Sequence, residues 1–386
     1  MKYKLTEIGS LSRGKSKHRP RNDKSLYDGK CPFVQTSDIK NANHILRTYQ
    51  QTYNEKGLKQ SKLWHKNTIC ITIAANIAES AILGFDACFP DSVLGLVVDD
   101  KIADFHYIEY LLQHYKRTIQ NQANGTSQEN INLETFEKVY FNIPILKEQQ
   151  KIGRILSNID EKIAVNNEIN KLLEQSARAI YEYYFVQFDF PNANGKPYKS
   201  SGGEMIFNPT LNHHIPKTFE VKVMKDFLSV VTGKEDANFA TKNGQYAFFT
   251  CGDEILRCDK SVFKGKAILI AGNGNFNVKY FDGEFNAYQR TYVLIPKNEL
   301  YAGILYFSAL NRIDIFTKGS NGSIVKFITK GDIENIPVIL PNDTQILSVF
   351  NTILDKQNLI RIENQKLKAL RDFLLPLLLN AQVKIK

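Results

Sequence analysis

Gly9-Ser-Leu-Ser-Arg-Gly-Lys-Ser16 satisfies the spacing G-x-x-x-x-G-K-S/T of a phosphate-binding loop. Leu94-Gly-Leu-Val-Val-Asp99 has the form of the apolar strand and aspartate that hold Mg²⁺ beside such a loop. That chemistry needs a buried strand before the loop and a helix N-terminus after it, so that amides and dipole meet the phosphates. Met1 to Ile8 is short and polar, and Lys17-His-Arg-Pro-Arg21 does not read as the opening of a helix. The second half of the chain keeps Gly233-Lys234 at the corresponding place but has Leu228 for Gly9 and Glu235 for Ser16. We therefore expect Gly9–Ser16 to be a strand or helix turning into a basic loop, and keep a P-loop-type NTPase only as a rival. Other catalytic patterns are missing. H-E-x-x-H, G-x-S-x-G and the N/D-P-P-F/Y signature of amino-methyltransferases do not occur, and Ala271-Gly-Asn-Gly-Asn-Phe276 lacks the G-x-G-x-x-G spacing. His213 and His214 read as exposed histidines before Pro216. The cysteines at 31, 70, 88, 251 and 258 are odd in number and form no C-x-x-C, which fits reduced structural thiols without a zinc site. No catalytic residue, metal or cofactor is expected.

What these segments suit better is a polyanion. Arg13, Lys15, Lys17, Arg19 and Arg21 lie on one short run with amide and hydroxyl neighbours. Lys and Arg neutralise phosphates and release counterions, while Arg, Asn and Gln read base edges bidentately. The second half offers Lys234, and then Asn273, Asn275, Asn277, Lys279, Gln289 and Arg290 around a Gly-rich turn. Two Asn-Gly turns in polar settings, with Asn124 and Thr126 in one and Asn321 and Ser323 in the other, complete the candidate DNA-binding set. A net charge of +10 permits such a partner without requiring one.

The elements that must position these residues come in two copies. Leu5, Ile8 and Leu11 before Gly14-Lys15 match Met224, Phe227 and Val230 before Gly233-Lys234. Phe85-Asp86 and Phe89 match Phe281-Asp282 and Phe285; Asn124-Gly-Thr126 matches Asn321-Gly-Ser323; Pro144 matches Pro341; Glu168–Leu172 matches Glu363–Leu367. The common order of these matches makes the chain a duplicated unit of mixed globular part and long helix. Short β-type runs such as Thr68–Ile73 and Ala267–Ile270, and helical runs Phe105–Ile119 and Tyr301–Phe316, give an α+β class. The expected segments are a domain at 1–146, a helix at 147–187, a linker at 188–214, a domain at 215–341 and a helix at 342–380. Positions 152, 156, 159, 163, 166, 170, 173, 177, 180 and 184, and 346 to 378 likewise, follow alternating steps of four and three, a heptad seam. Each seam is polar at its middle, at Asn166 and Asn170 and at Gln357 and Asn364, which would weaken the pair but fix its register. An antiparallel pairing of the two helices is expected, and Asn166→Leu with Asn170→Leu is expected to raise stability and loosen register. The chain has 386 residues, 43% of them hydrophobic, enough for two or three domains, and no apolar run reaches the roughly 18 residues of a membrane span.

With this layout, Ile215-Pro-Lys-Thr-Phe-Glu-Val-Lys222 and Ile143-Pro-Ile-Leu-Lys-Glu-Gln-Gln-Lys-Ile152, together with Pro337, Pro341 and Gln345, resemble the specificity subunit of Type I restriction-modification enzymes. The second copy departs from the pattern with Asp343-Thr344 where Glu-Gln is usual. The resemblance implies two homologous target-recognition domains in tandem, each reading half of a split double-stranded DNA site. It implies an antiparallel coiled coil that sets the spacer and holds two methyltransferase subunits, with restriction subunits as further partners. Catalysis, S-adenosylmethionine and ATP would belong to those partners; the cysteine usage, separately, leads us to expect a reduced, cytoplasmic chain. A coiled-coil scaffold that does not bind DNA is the second rival.

Overall fold

The structure, a computed structural model, describes residues 1–74, 76–124, 136, 139–274, 276–318, 327–383 and 385. Its chain forms two compact units, Met1–Val165 with Asn364–Lys386, and Asn166–Glu363.

In the first unit, Gly9–Arg13 is the edge of a five-stranded sheet that continues through Val93–Val98, Ile69–Thr72, Ser80–Leu83 and Ile45–Leu46. The run Ile69-Cys-Ile-Thr is buried throughout because both faces of its strand are covered. Ile69 and Ile71 lie with Tyr107, Ile108 and Leu111 of helix Phe105–Asn124, while Cys70 lies with Trp64, Phe89 and Val93. A smaller sheet, Gln51–Tyr53, Tyr27–Phe33, Ala87–Cys88 and Leu63–Trp64, stands beside it.

The second unit repeats this plan. Leu228–Thr232 edges a six-stranded sheet, followed by Thr291–Pro296, Phe263–Ala271, Val278–Ala287, Tyr246–Phe249 and Ile255–Cys258. Ile268, Ile270 and Leu294 pack with Ile304 and Leu305 of helix Ala302–Lys318, and Ala267, Leu269 and Val293 pack with Phe249, Phe281 and Phe285 on the other face. A helical turn precedes the first strand of the main sheet in both copies, at Leu5–Glu7 and at Met224–Phe227. A short antiparallel pair closes each domain where its long helix begins: Lys2–Tyr3 with Phe141–Asn142, and Phe219–Val223 with Pro337–Pro341.

This repetition explains the false phosphate loop. Gly9–Arg13 is a strand paired residue by residue with Val98–Leu94. A Cβ at Gly9 would overlap the Val97 carbonyl, and one at Gly14 the Pro90 carbonyl. Gly233 is fixed in the same way by the Ala287 carbonyl. The glycines serve close strand packing, and the first helical turn after Gly14 is the 3₁₀ turn Lys24–Leu26.

The long helices run over Leu146–Tyr181, with a π-helical turn at Glu182–Val186, and over Gln345–Leu379. Their seams are covered: Ile152, Leu156, Ile159, Ile163, Asn166 and Ala177 on the first, and Phe350, Ile353, Ile360, Asn364 and Leu378 on the second, are all buried. Partner numbers fall as residue numbers rise, the mark of an antiparallel pair. Asp160 meets Arg371 at 2.6 Å, Asn166 meets Glu363 at 2.8 Å, and the Asn170 carbonyl accepts from Gln357 at 3.1 Å. Each unit therefore holds one globular domain, part of its own helix and part of the other. Each helix is also tied to its own domain. Gln149 accepts from the Asp104 amide and donates to the Ile102 carbonyl, and Asn351 accepts from the Gly303 amide and donates to the Leu300 carbonyl. Both ties cap the start of the domain helix, whose first amides and preceding carbonyls have no intrahelical partner.

Candidate nucleic-acid interface

In each domain the first strand ends in a packed glycine followed by a lysine. At Gly14-Lys15, the Gly14 amide donates to the Val93 carbonyl and the Lys15 amide to the Phe89 carbonyl, at 2.8 and 3.1 Å. At Gly233-Lys234, the Gly233 amide donates to the Thr291 carbonyl at 3.1 Å. With the backbone held, both lysine side chains point outward and are exposed.

Around Lys15 the basic loop is built rather than loose. Gln60 accepts from the Lys17 and His18 amides at 2.6 and 3.0 Å, and Ser61 donates to the Lys15 carbonyl at 2.7 Å. Arg21 pairs with Asp91 at 2.7 Å, and Arg19 lies 3.8 Å from the same carboxylate. Arg19 also donates to the Ser16 carbonyl at 2.7 Å. His18 meets Asp23 at 2.7 Å, and the Ser25 amide and then His18 hold the Asp23 carboxyl down at about 2. Arg13, Lys15 and Lys17 are exposed and form no side-chain ion pair among the described residues, so their charge is open to a ligand. Arg19 and Arg21 are exposed too, but part of their charge is answered by Asp91.

In the second domain, Lys234, Gln289 and Arg290 are exposed on neighbouring loops. The Gln289 amide donates to the Glu235 carbonyl, and its side chain to Asp236 at 2.8 Å. The Arg290 carbonyl gathers the next loops, accepting from the Gly272 amide and from Cys251 Sγ. Asn273 lies there, bridged to Phe327. Asn277 donates to the Cys251 carbonyl at 3.0 Å and to Asp253 at 3.2 Å. Lys279 is turned inward. It donates to the Thr250 and Gly252 carbonyls, and burial pushes its ammonium below the ordinary lysine range. Asn277 and Lys279 thus shape the loop 250–253, while Lys234 and Arg290 present charge. Thr126, Asn275, Asn321 and Ser323, and the side chain of Asn124, lie outside the described residues. Gln60, Ser61 and Asp91 were not singled out in the sequence; they are far from the loop in sequence and carry no pattern of their own.

On the helices, Asn166 donates to Glu363, a partner that heptad spacing did not single out. Gln357 donates to the Asn170 backbone rather than to its side chain. Asn364 is buried on the seam. Among the described residues no group of three or more His, Cys, Asp or Glu could hold a metal ion, and no helix is long and apolar enough to cross a membrane.

The family model described as "Type I restriction modification DNA specificity domain" matches residues 1–175 and 216–371, once for each copy. The chain belongs to this family. The specificity subunit of the Type I restriction enzyme EcoDI from Escherichia coli is 36% identical over 179 residues, 44% of this chain and 39% of that protein. The MjaIX specificity subunit from Methanocaldococcus jannaschii is 22% identical over 418 aligned positions, 99% of this chain and 93% of that protein. The crystal structure of the Type I restriction-modification S subunit from M. genitalium has the same fold, with a TM-score of 0.61 at 17% identity, over 98% of this chain and 95% of that one.

Proposed function

We propose that the chain is the DNA-recognition and scaffold subunit of a Type I restriction-modification complex. Each globular domain reads one half of a two-part DNA target, and the paired helices set the spacing and dock methyltransferase subunits. The observation that carries this reading is the repeated rim: an exposed lysine after a packed glycine, at Lys15 and at Lys234, on two copies of one fold. Arg13, Lys15, Lys17, Lys234 and Arg290 make phosphate or base contacts, with Arg19, Arg21, Asn273 and Gln289 beside them. Asn277 and Lys279 hold the loop that presents them. Asn124, Thr126, Asn275, Asn321 and Ser323 complete the proposed DNA-binding set. The chain itself performs no catalysis and needs no cofactor; methylation and cleavage belong to methyltransferase and restriction subunits in the cytoplasm.

The test is a domain exchange read by methylome sequencing. Replacing residues 1–146 by the corresponding domain of another specificity subunit should change one half of the methylated motif and leave the other half intact. Loss of both halves in a properly assembled complex would count against independent readers. The rival of a scaffold without DNA contacts predicts no sequence-selective retention of DNA by the assembled complex, so a retention assay separates the two.

A further inference from the structure

Two of the thiols are neighbours in space. Cys31, on strand Tyr27–Phe33, and Cys88, on the adjoining strand Ala87–Cys88, place their sulfurs 3.6 Å apart although 57 residues separate them. The two strands run parallel, with Phe33 opposite Cys88. Cys31 lies two residues before Phe33, on the same face of its strand. A short movement therefore brings the sulfurs to the bonding distance of about 2.05 Å. Access differs between them. Cys31 is partly exposed, whereas Cys88 is fully buried, and burial pushes its thiol up to about 12. The other thiols have no such neighbour among the described residues. Cys70 and Cys258 are buried, and Cys251 and Cys258 belong to the other unit.

We propose that Cys31 and Cys88 form an oxidative modification site, a dithiol that a peroxide converts to an intramolecular disulfide. The Cys31 sulfur attacks the peroxide, forming an S–O bond, breaking the O–O bond and releasing one water. The Cys88 sulfur then attacks the Cys31 sulfur, forming the S–S bond and breaking S–O; its proton leaves with the oxygen as a second water. Two thiols and one hydrogen peroxide give one disulfide and two waters, a two-electron oxidation.

The position of this site gives it a consequence. Phe89, next to Cys88, accepts the Lys15 amide, and Ser61, whose side chain acts on the Cys88 thiol electrostatically, donates to the Lys15 carbonyl. On the strand of Cys31, Tyr27 donates to the Arg21 carbonyl at 2.9 Å. The disulfide would thus tie together the two strands from which the basic loop hangs. This part rests on the DNA-reading proposal: oxidation alters recognition of the first half-site and spares the second.

The test uses the full chain, alone and in its assembled complex, treated with hydrogen peroxide and then with dithiothreitol. Mass spectrometry should find one cross-linked peptide pair joining Cys31 and Cys88, with the loss of two titratable thiols, both restored by the reductant. Cys31→Ser should abolish the cross-link, and because its side chain is only partly buried the variant keeps a folded control. Cys251→Ser should leave the cross-link unchanged. Separate alkylation of Cys31 and Cys88 after peroxide, or over-oxidation of Cys31 without a cross-link, would overturn the site. If the cross-link forms and both half-sites are read as before, the coupling to the basic loop is overturned while DNA reading stands. If the reduced complex reads neither half-site, the DNA-reading proposal fails and the cross-link is judged by mass alone.

Discussion

Arg371 donates to Asp160 at 2.6 Å, and that one contact draws the second helix onto the first domain as well as onto the first helix. Asp160 is buried, accepts from Tyr110 at 2.6 Å with its other oxygen, and receives Asn43 at 3.3 Å. Arg371 also donates to Asn43 at 3.0 Å. Four segments, the Asn43 turn, the helix Phe105–Asn124 and both long helices, therefore converge on a single carboxylate. Removing one partner of a buried ion pair leaves an uncompensated charge, which costs about 3–5 kcal/mol. Arg371→Leu should destabilise the first unit by about that much, and adding Asp160→Asn should recover part of it. Trp64, the chain's single tryptophan, is buried in that unit, so its fluorescence during urea unfolding reports the change there. An unfolding midpoint unmoved by Arg371→Leu would mean the pair is not what holds the helix.

The contact between Asn166 and Glu363 changes what seam mutations should do. Heptad reasoning alone makes Asn166→Leu stabilising, since a polar seam residue is replaced by an apolar one. With Glu363 receiving the Asn166 amide at 2.8 Å, the single substitution removes a hydrogen bond to a charged group. Such a loss costs about 1–3 kcal/mol. Asn166→Leu combined with Glu363→Leu should instead match or exceed the parent in stability and loosen register. A double-mutant cycle measured by thermal unfolding checks the sign of the coupling.

Acid should weaken the first unit before the second. His44 is buried against Glu109 and meets His106 at 2.8 Å. Burial first, and His44 second, push the His106 imidazole down to about 4 from its ordinary 6.5. A base depressed on folding binds more protons when unfolded, so its contribution is complete above pH 6.5 and is lost as pH falls towards 4. Allowing for the ring's partial exposure, the loss is about 1–2 kcal/mol. His106→Gln should flatten the dependence of Trp64-reported unfolding between those limits, and an unchanged slope would remove His106 from the account.

On the DNA-reading proposal, Lys15→Ala and Lys234→Ala should each weaken binding to every sequence alike and lower the salt slope by about one. Arg290→Ala is the contrast. As a base contact it should cost about 1–3 kcal/mol and relax one position of the second half-site only. Lys279→Ala should act through its loop, changing thermal stability of the second unit together with affinity. Fluorescence anisotropy across a salt series, with the assembled complex, distinguishes these patterns.

Much of this architecture could be read from the chain because it rests on period and repetition. Ile152, Leu156, Ile159 and Ile163 announce a helix seam by spacing alone, and Gly14 and Gly233 announce the same strand end twice. What could not be read depends on partners far away in sequence. Nothing near Arg21 points to Asp91, and nothing near Asp160 points to Arg371. Lys279 looks like a surface cation in a Gly/Asn-rich stretch, yet a loop 27 residues earlier turns its carbonyls towards it. Glu363 sits one position before the seam residue Asn364, so heptad counting passes over it. Charge counting finds basic segments, but only the fold separates cations that are open from cations already answered.

The closure of the first unit by residues 364–386 sets an order of events during synthesis. Leu378 is buried in that unit's core, with Leu374 and Leu375 packed against it, whereas the second unit is one uninterrupted stretch, Asn166–Glu363. A ribosome making about 5–20 residues per second needs about 10–40 s to pass the roughly 200 residues in between. For that interval the core cluster that Leu378 joins lacks its final member, and the domain emitted first is the last to be completed. A nascent chain that stalls after Glu363 should therefore carry a finished second domain and an apolar wound on the first, a natural client for a chaperone that binds exposed leucine and isoleucine.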